Sequence, residues 1–433
     1  MVMNASMFRS VLASILLFLV FTASAQSRDS NSQLIKRGEY LSRVGNCTAC
    51  HTAPGGAPLA GGLPMALPMG RTFSTNITPD SATGIGTYTE QDFSRALRKG
   101  VAKDGHNLYP AMPYTSFVKV NDADVHALYL YFMHGVRPVQ KRNRQPDISP
   151  LLAMRWPIKI WNAIFLDSKV YEPESSQDAQ WNRGAYLVEG LGHCGACHTA
   201  RGVADQELAL DGSRSGFLGG ALIDNWYASD LTGDSNTGLG QWTEADVLEF
   251  LKRGSNRHAS SFGSMVDVIN QSTQGMTDAD LAAIAHYLKS LPPARDSIEE
   301  KAAYVSQSTF APSIPADRTP VQSGKGLYTI YCLQCHGADG KGMTSLIAPL
   351  QRNPNLLETD ASSLINLSLH GTGRVVIQGG PAAYPMPSFG AVMSDRDIAE
   401  VLTYIRGSWG NHADAVEERS VALMRSRTKS PAE

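Results

Sequence analysis

The chain lacks the signature of a site for a substrate-oxidising organic cofactor. No G-x-G-x-x-G stands in a strand–turn–helix context, and no flavin, nucleotide or quinoprotein site can be read. Charge of one sign is missing too: the net of -2 over 433 residues argues against nucleic-acid binding and against strong attachment to anionic lipid. Beyond the N-terminus no run reaches the about 20 apolar residues that a span needs. Membrane contact is therefore peripheral or through a partner. Cysteine is scarce as well, with 6 in the whole chain.

All six cysteines fall into one repeated string. It reads Cys47-Thr48-Ala49-Cys50-His51, Cys194-Gly195-Ala196-Cys197-His198 and Cys332-Leu333-Gln334-Cys335-His336. C-x-x-C-H is the attachment signature of c-type haem. Two thiols must reach the two vinyl groups of one porphyrin edge, and the imidazole beyond them must sit under the iron. Zinc ligation, disulfides or a thioredoxin-like pair would explain one such string, but not three that use every cysteine. The expectation is three covalently bound haem c groups, on Cys47 and Cys50, Cys194 and Cys197, Cys332 and Cys335.

The N-terminus reads as an export signal over 1–25. A short region ends at Arg9, an apolar stretch covers 11–21, and Ala23-Ser24-Ala25 forms the cleavage site. The mature chain would begin near Gln26. Covalent haem attachment follows export, so signal and motifs support a periplasmic protein.

Two units are copies of one another. Asn76-Ile77-Thr78-Pro79-Asp80 leads to Leu97-Arg98-Lys99-Gly100, and Asp230-Leu231-Thr232-Gly233-Asp234 leads to Leu251-Lys252-Arg253-Gly254. The interval from Ile77 to Gly100 equals that from Leu231 to Gly254. A third unit shares the haem string but lacks this block. Each unit opens with a helix whose glycine (Gly38, Gly184 or Gly326) suggests close approach of a second helix, because glycine otherwise costs about 1 kcal/mol there. The second helices start at the caps Asn121, Thr277 and Ser394, with Asp124, Asp280 and Asp397 three residues on, a variant of the capping box. Tyr131, Tyr287 and Tyr404 fall at equivalent places on them, facing the first helix.

The spacing gives domains over 33–136, 179–292 and 320–410, linkers over 137–178 and 293–319, and a polar tail over 411–433. The first linker holds the most apolar stretch of the mature chain, 151–166, with Trp156, Trp161 and Phe165. Its preferred reading is inter-domain packing. The alternative is an interfacial or partner-docking patch.

The proximal iron ligands follow from the motif as His51, His198 and His336. The sixth ligand decides between carrier and enzyme, since a closed iron carries electrons and an open one binds small molecules. Met112 in Tyr109-Pro110-Ala111-Met112-Pro113 and Met386 in Tyr384-Pro385-Met386-Pro387 sit in matching proline-held loops. Unit two lacks such a pair. Met265 is its candidate and Met276 the rival. His106, His126, His134, His193, His258, His286 and His370 read as surface or core residues.

These motifs resemble the cytochrome c subunits of bacterial membrane-bound, flavin- or quinoprotein-dependent alcohol, gluconate and sugar dehydrogenases. Arg37-Gly38-Glu39-Tyr40-Leu41, Arg183-Gly184-Ala185-Tyr186-Leu187, Phe262-Gly263-Ser264-Met265 and Pro385-Met386-Pro387 carry the resemblance. It implies an all-α fold of three class I cytochrome c domains in tandem. It implies an electron-transfer subunit rather than an enzyme, taking electrons from a catalytic dehydrogenase subunit to ubiquinone or another respiratory acceptor at the outer face of the cytoplasmic membrane. Alternatives from the same reading are a subunit serving a molybdenum hydroxylase or aldehyde dehydrogenase, and a donor to a terminal oxidase. A haem peroxidase is the rival from another class. It survives only in unit two, where the methionine is least regular.

Overall fold

The computed structural model describes residues 31–67, 69–149, 153–294, 323–377 and 380–428. The export signal, Leu151 and Leu152, most of the second linker and Lys429 lie outside the described residues.

Each unit opens with a helix that runs into its cysteines and closes with a helix crossing back over it. In unit one these are 31–44 and Asp122–Leu130, the latter widening into a π turn over Tyr131–Gly135. In unit two they are Ala179–Ala185, widening over Tyr186–Leu191, and Asp278–Ser290. In unit three they are Gly324–Tyr331 and Asp395–Arg406. The closing helices start where the caps are. The side chains of Asn121, Thr277 and Ser394 accept from the backbone N–H of Asp124, Asp280 and Asp397.

The two helices of each unit meet at glycine. A Cβ on Gly38 would lie 2.0 Å from the Ala127 carbonyl oxygen and 2.6 Å from Tyr131 Cβ. A Cβ on Gly184 would lie 2.0 Å from the Ala283 oxygen and 2.6 Å from Tyr287 Cβ. The three tyrosines are thus equivalent and face the first helix. In unit three the contact glycine is Gly324, where a Cβ would lie 2.3 Å from the Glu400 oxygen and 2.8 Å from Tyr404 Cβ, two residues before the Gly326 that the sequence suggested. The run from contact glycine to first cysteine differs in each unit, so alignment on the cysteines misplaces it.

The repeated block is the same structure twice. Asp80 Oδ1 accepts from the backbone of Ala82 and Thr83, and Asp234 Oδ1 from Asn236 and Thr237. Reciprocal capping boxes at Thr89–Asp92 and Thr243–Asp246 start the helices Glu90–Lys99 and Glu244–Arg253. Both helices end on a left-handed glycine, Gly100 and Gly254.

The described chain is helix-rich, with two small antiparallel sheets that the sequence did not reveal. β1 (Pro64–Leu67), β2 (Gly70–Phe73) and β3 (Asp147–Ile148) form one, in that order. β4 (Ala221–Ile223) and β5 (Trp226–Ala228) form the other. Strands this short carry too little alternation to be read. The polar tail after Gly410 holds a further helix. Glu418–Thr428 is a helix that buries Val421 and Met424, and Arg425 pairs with Asp395 at 2.6 Å.

Units one and two share one apolar core. Leu41, Val44 and Leu128 belong to the same cluster as Leu187, Leu191 and Tyr287, whereas unit three has its own around Ile398 and Leu402. A reciprocal exchange locks the first pair. Arg37 Nε donates to Asp124 Oδ1 at 2.7 Å, and Tyr186 of unit two donates to Asp124 Oδ2 at 2.7 Å. Arg183 Nε donates to Asp280 Oδ1 at 2.7 Å, and Tyr40 of unit one donates to Asp280 Oδ2 at 2.6 Å. Burial alone would raise the Asp280 carboxyl, but Arg183 and Tyr40 outweigh it and hold it low. The carboxylates expected to close capping boxes are spent on this boundary. Only Ser394–Asp397 closes a full box on a terminal helix.

Candidate functional site

Each C-x-x-C-H string makes a single helical turn. The backbone N–H of His51, His198 and His336 donates to the carbonyl of Cys47, Cys194 and Cys332 at 2.9, 3.0 and 2.9 Å. Residues four apart share a helix face, so the first cysteine and the histidine point to one side. Burial pushes the Cys47 and Cys332 thiols up to about 11 and the Cys194 thiol up to about 12. A redox-active pair uses a thiol held low, the opposite of this direction. All six cysteines are free of disulfides, and no group of three or more metal-binding side chains occurs among the described residues.

The histidines are oriented by backbone. His51 Nδ1 meets the Thr75 carbonyl at 2.7 Å, His198 Nδ1 the Ser229 carbonyl at 2.7 Å, and His336 Nδ1 the Ala348 carbonyl at 3.0 Å. A carbonyl can only accept, so Nδ1 carries the proton and Nε2 keeps its lone pair. No described residue hydrogen-bonds Nε2 in any of the three. Burial lowers all three imidazole pKa values, although the carbonyl bond works the other way, so the rings stay neutral. A neutral, aimed imidazole beside two thiols fits a haem iron and its porphyrin edge.

The sequence missed these carbonyls because backbone acceptors have no side-chain signature. One signal was present. Thr75 and Ser229 directly precede the repeated blocks at Asn76 and Asp230. Asn76 accounts for part of the block: its side chain ties Thr78 to the Val139 carbonyl and so braces the segment that follows Thr75.

The candidate distal methionines lie on the segments before the closing helices. Met112 sits in a tight turn, accepting from Tyr114 N at 2.8 Å, and is half-buried against the shared core. Met386 is fastened at both ends, its N–H donating to Thr372 Oγ1 at 2.7 Å and its carbonyl accepting from Thr372 N at 3.0 Å. Met265 opens the helix Met265–Gln271, half-buried against Val266, Ile269 and Val375. The rival Met276 is fully engaged in the core of units one and two. Six of the other histidines have partners of their own. His106, His126, His258 and His286 face carboxylates, His193 the Gly45 carbonyl, and His370 the Thr428 hydroxyl.

Unit two touches both of the other units. The helix Met265–Gln271 of unit two packs on the Cys47–Cys50 turn of unit one, and Tyr114–Phe117, which follows Met112, packs on Tyr186–Leu191 before Cys194. The Cys50 and Cys197 thiols lie close enough to feel one another's charge. Unit three clasps unit two at the Ser229 that holds His198: Ser229 Oγ bonds Asn355, and Tyr227 N donates to Ser363 Oγ at 2.7 Å.

Comparison with known proteins agrees with this geometry. The cytochrome c family model matches residues 182–292, and that of cytochrome c oxidase, cbb3-type, subunit III matches 319–405. The chain is 47% identical to the gluconate 2-dehydrogenase cytochrome c subunit of Pantoea cypripedii, over 97% of this chain and 95% of the relative. It is 46% identical to the cytochrome c subunit of the quinone alcohol dehydrogenase of Gluconacetobacter polyoxogenes, over 91% and 84%. It is 35% identical to the fructose dehydrogenase cytochrome subunit of Gluconobacter japonicus, over 91% and 83%. Cytochrome c domains bind haem c covalently. A chain matched over nearly its whole length at this identity belongs to the family of cytochrome c subunits of dehydrogenase complexes, as an electron-transfer subunit and not a catalytic one.

Proposed function

We propose that the chain carries three haem c groups in an all-α arrangement of three class I cytochrome c domains in tandem, over 33–136, 179–292 and 320–410. Cys47 and Cys50, Cys194 and Cys197, and Cys332 and Cys335 hold them. His51 with Met112, His198 with Met265, and His336 with Met386 are the axial pairs. When bound, haem supplies reversible one-electron transfer. The protein's part is to aim the imidazoles, bury the sites and keep unit two in contact with both of the other units. The chain is exported to the periplasm and takes electrons from a catalytic subunit acting on an alcohol, gluconate or another sugar. It delivers them at the outer face of the cytoplasmic membrane to ubiquinone or another respiratory acceptor.

The observation that carries this reading is the set of three Nδ1-to-carbonyl bonds, which leave three Nε2 atoms without a partner among the described residues. The oxidised protein should show a weak sulfur-to-iron band at the red end of the visible spectrum. Met112→Ala, Met265→Ala and Met386→Ala should each remove about a third of it and lower one potential. A Met265→Ala protein with an unchanged band would mean that unit two is ligated otherwise.

A further inference from the structure

The apolar linker resolves into a helix with two faces, Trp156–Phe165. One face is fastened to the body. Trp161 Nε1 donates to the Ala204 carbonyl at 2.9 Å and its ring meets Tyr114 edge-on. Asn162 Oδ1 accepts from the Tyr114 hydroxyl at 2.8 Å, Phe165 packs on Trp161, and Arg155 lies over the Tyr109 ring. The other face is bare: Trp156 is 61% exposed, Ile160 53% and Ile164 66%. These are positions i, i+4 and i+8, one continuous stripe along the helix. Met154, just before the helix, and Val203, next to the Ala204 that Trp161 holds, are exposed as well.

We propose that this stripe is an in-plane contact with the surface of an anionic lipid bilayer. It rests on the reading of an exported chain working at the membrane. The charges say what covers the stripe. From Met154 to Leu166 the only ionic side chains are Arg155 and Lys159, and no acid opens or interrupts the helix. The chain as a whole is nearly neutral, so the attraction is local to this face. Arg155 is turned inward on Tyr109 and the Asn107 carbonyl, whereas Lys159 is exposed beside the stripe. A short helix with tryptophan and aliphatic side chains on one face and a lysine at its edge suits the headgroup boundary, about 5–10 Å deep. Among the described residues no helix is long and apolar enough to cross a membrane, so contact of this kind lies in the plane. The fastened face puts a consequence on the first haem site. Tyr109 and Tyr114 flank Met112 behind the fastened face, so docking holds that loop about one helix diameter, about 10 Å, from the bilayer surface.

The test is flotation of the haem-loaded full-length mature protein with vesicles of phosphatidylglycerol and phosphatidylethanolamine, and with phosphatidylcholine alone. Ile160→Ser with Ile164→Ser should lower the bound fraction on the anionic vesicles about tenfold or more. Lys159→Gln should weaken binding on those vesicles and not on phosphatidylcholine. Leu423→Ser, an exposed apolar residue on the last helix, should change nothing. The visible spectrum of each sample reports the haems separately, so loss of the haem reading and loss of membrane contact are distinct results. The proposal is overturned if the double variant floats like wild type, or if Leu423→Ser alone abolishes flotation. It is equally overturned if the double variant keeps vesicle binding and loses the catalytic subunit, or if it only converts a dimer into monomers.

Discussion

Replacing Tyr186 by Phe deletes one hydroxyl that donates across the boundary of units one and two to Asp124. The acceptor is a fully buried carboxylate, and the donor is 6% exposed. A hydrogen bond to a charged group contributes about 1.5–3 kcal/mol, and full burial places this one toward the upper end, about 2–3 kcal/mol. Arg37 remains on the other carboxylate oxygen, so the charge itself is not left bare. Tyr40→Phe is the same change at the equivalent place, and it should cost less, about 1 kcal/mol. Tyr40 is only half-buried, and Arg183 holds both oxygens of Asp280, at 2.7 and 2.8 Å. Guanidinium unfolding of the haem-loaded chain, followed by Soret circular dichroism, is the assay. The two largest apolar cores predict two transitions, one for units one and two together and one for unit three, joined only by the small cluster of Val266, Ile269 and Val375 among the described clusters. Both substitutions should weaken the first and leave the second where it was. A Tyr186→Phe protein with no shift, a larger loss for Tyr40→Phe, or equal movement of both transitions would refute the reasoning.

Gly184→Ala puts a Cβ 2.0 Å from a backbone carbonyl, so the crossing helices of unit two must part, at about 3 kcal/mol; a first transition at the wild-type midpoint would contradict the crossing. His286 has its pKa raised above 6.5 by the bond to Glu244 and by the nearby Asp178. Its contribution is therefore fully present below pH 6.5 and is lost as pH rises through the folded value. The Tm difference between wild type and His286→Gln should shrink over that rise, and a difference that stays constant from about pH 5.5 to 8.5 would count against the pairing.

The fold was legible wherever the chain uses local chemistry. The capping residues Asn121, Thr277 and Ser394 announced the closing helices, and the repeated block announced the copied structure of units one and two. What was not legible depends on partners far away in sequence. Asp124 and Asp280 sit at the box position, and nothing local says that tyrosines of the opposite unit take their carboxylates. Gly324 escaped because the basic-Gly-x-Tyr string that marks Gly38 and Gly184 recurs at Lys325-Gly326-Leu327-Tyr328, two residues past the glycine that makes the contact. In the linker, composition showed an apolar segment but not its sides. Trp161 and Phe165 turn inward, and the bare stripe belongs to Trp156, Ile160 and Ile164. At the proposed haem sites the string itself supplies the candidate cysteines and proximal histidines. The carbonyls of Thr75, Ser229 and Ala348 became visible only with the backbone in place.

The central claim is that three C-x-x-C-H turns each hold one haem by two thioether bonds. Intact mass of the mature exported chain, measured after iodoacetamide treatment in denaturant, tests it directly. The account predicts three haem additions, no alkylated cysteine and no haem released by acid acetone. A chain with two haems and a pair of alkylated cysteines, or one that gives up its haem to the solvent, would contradict it.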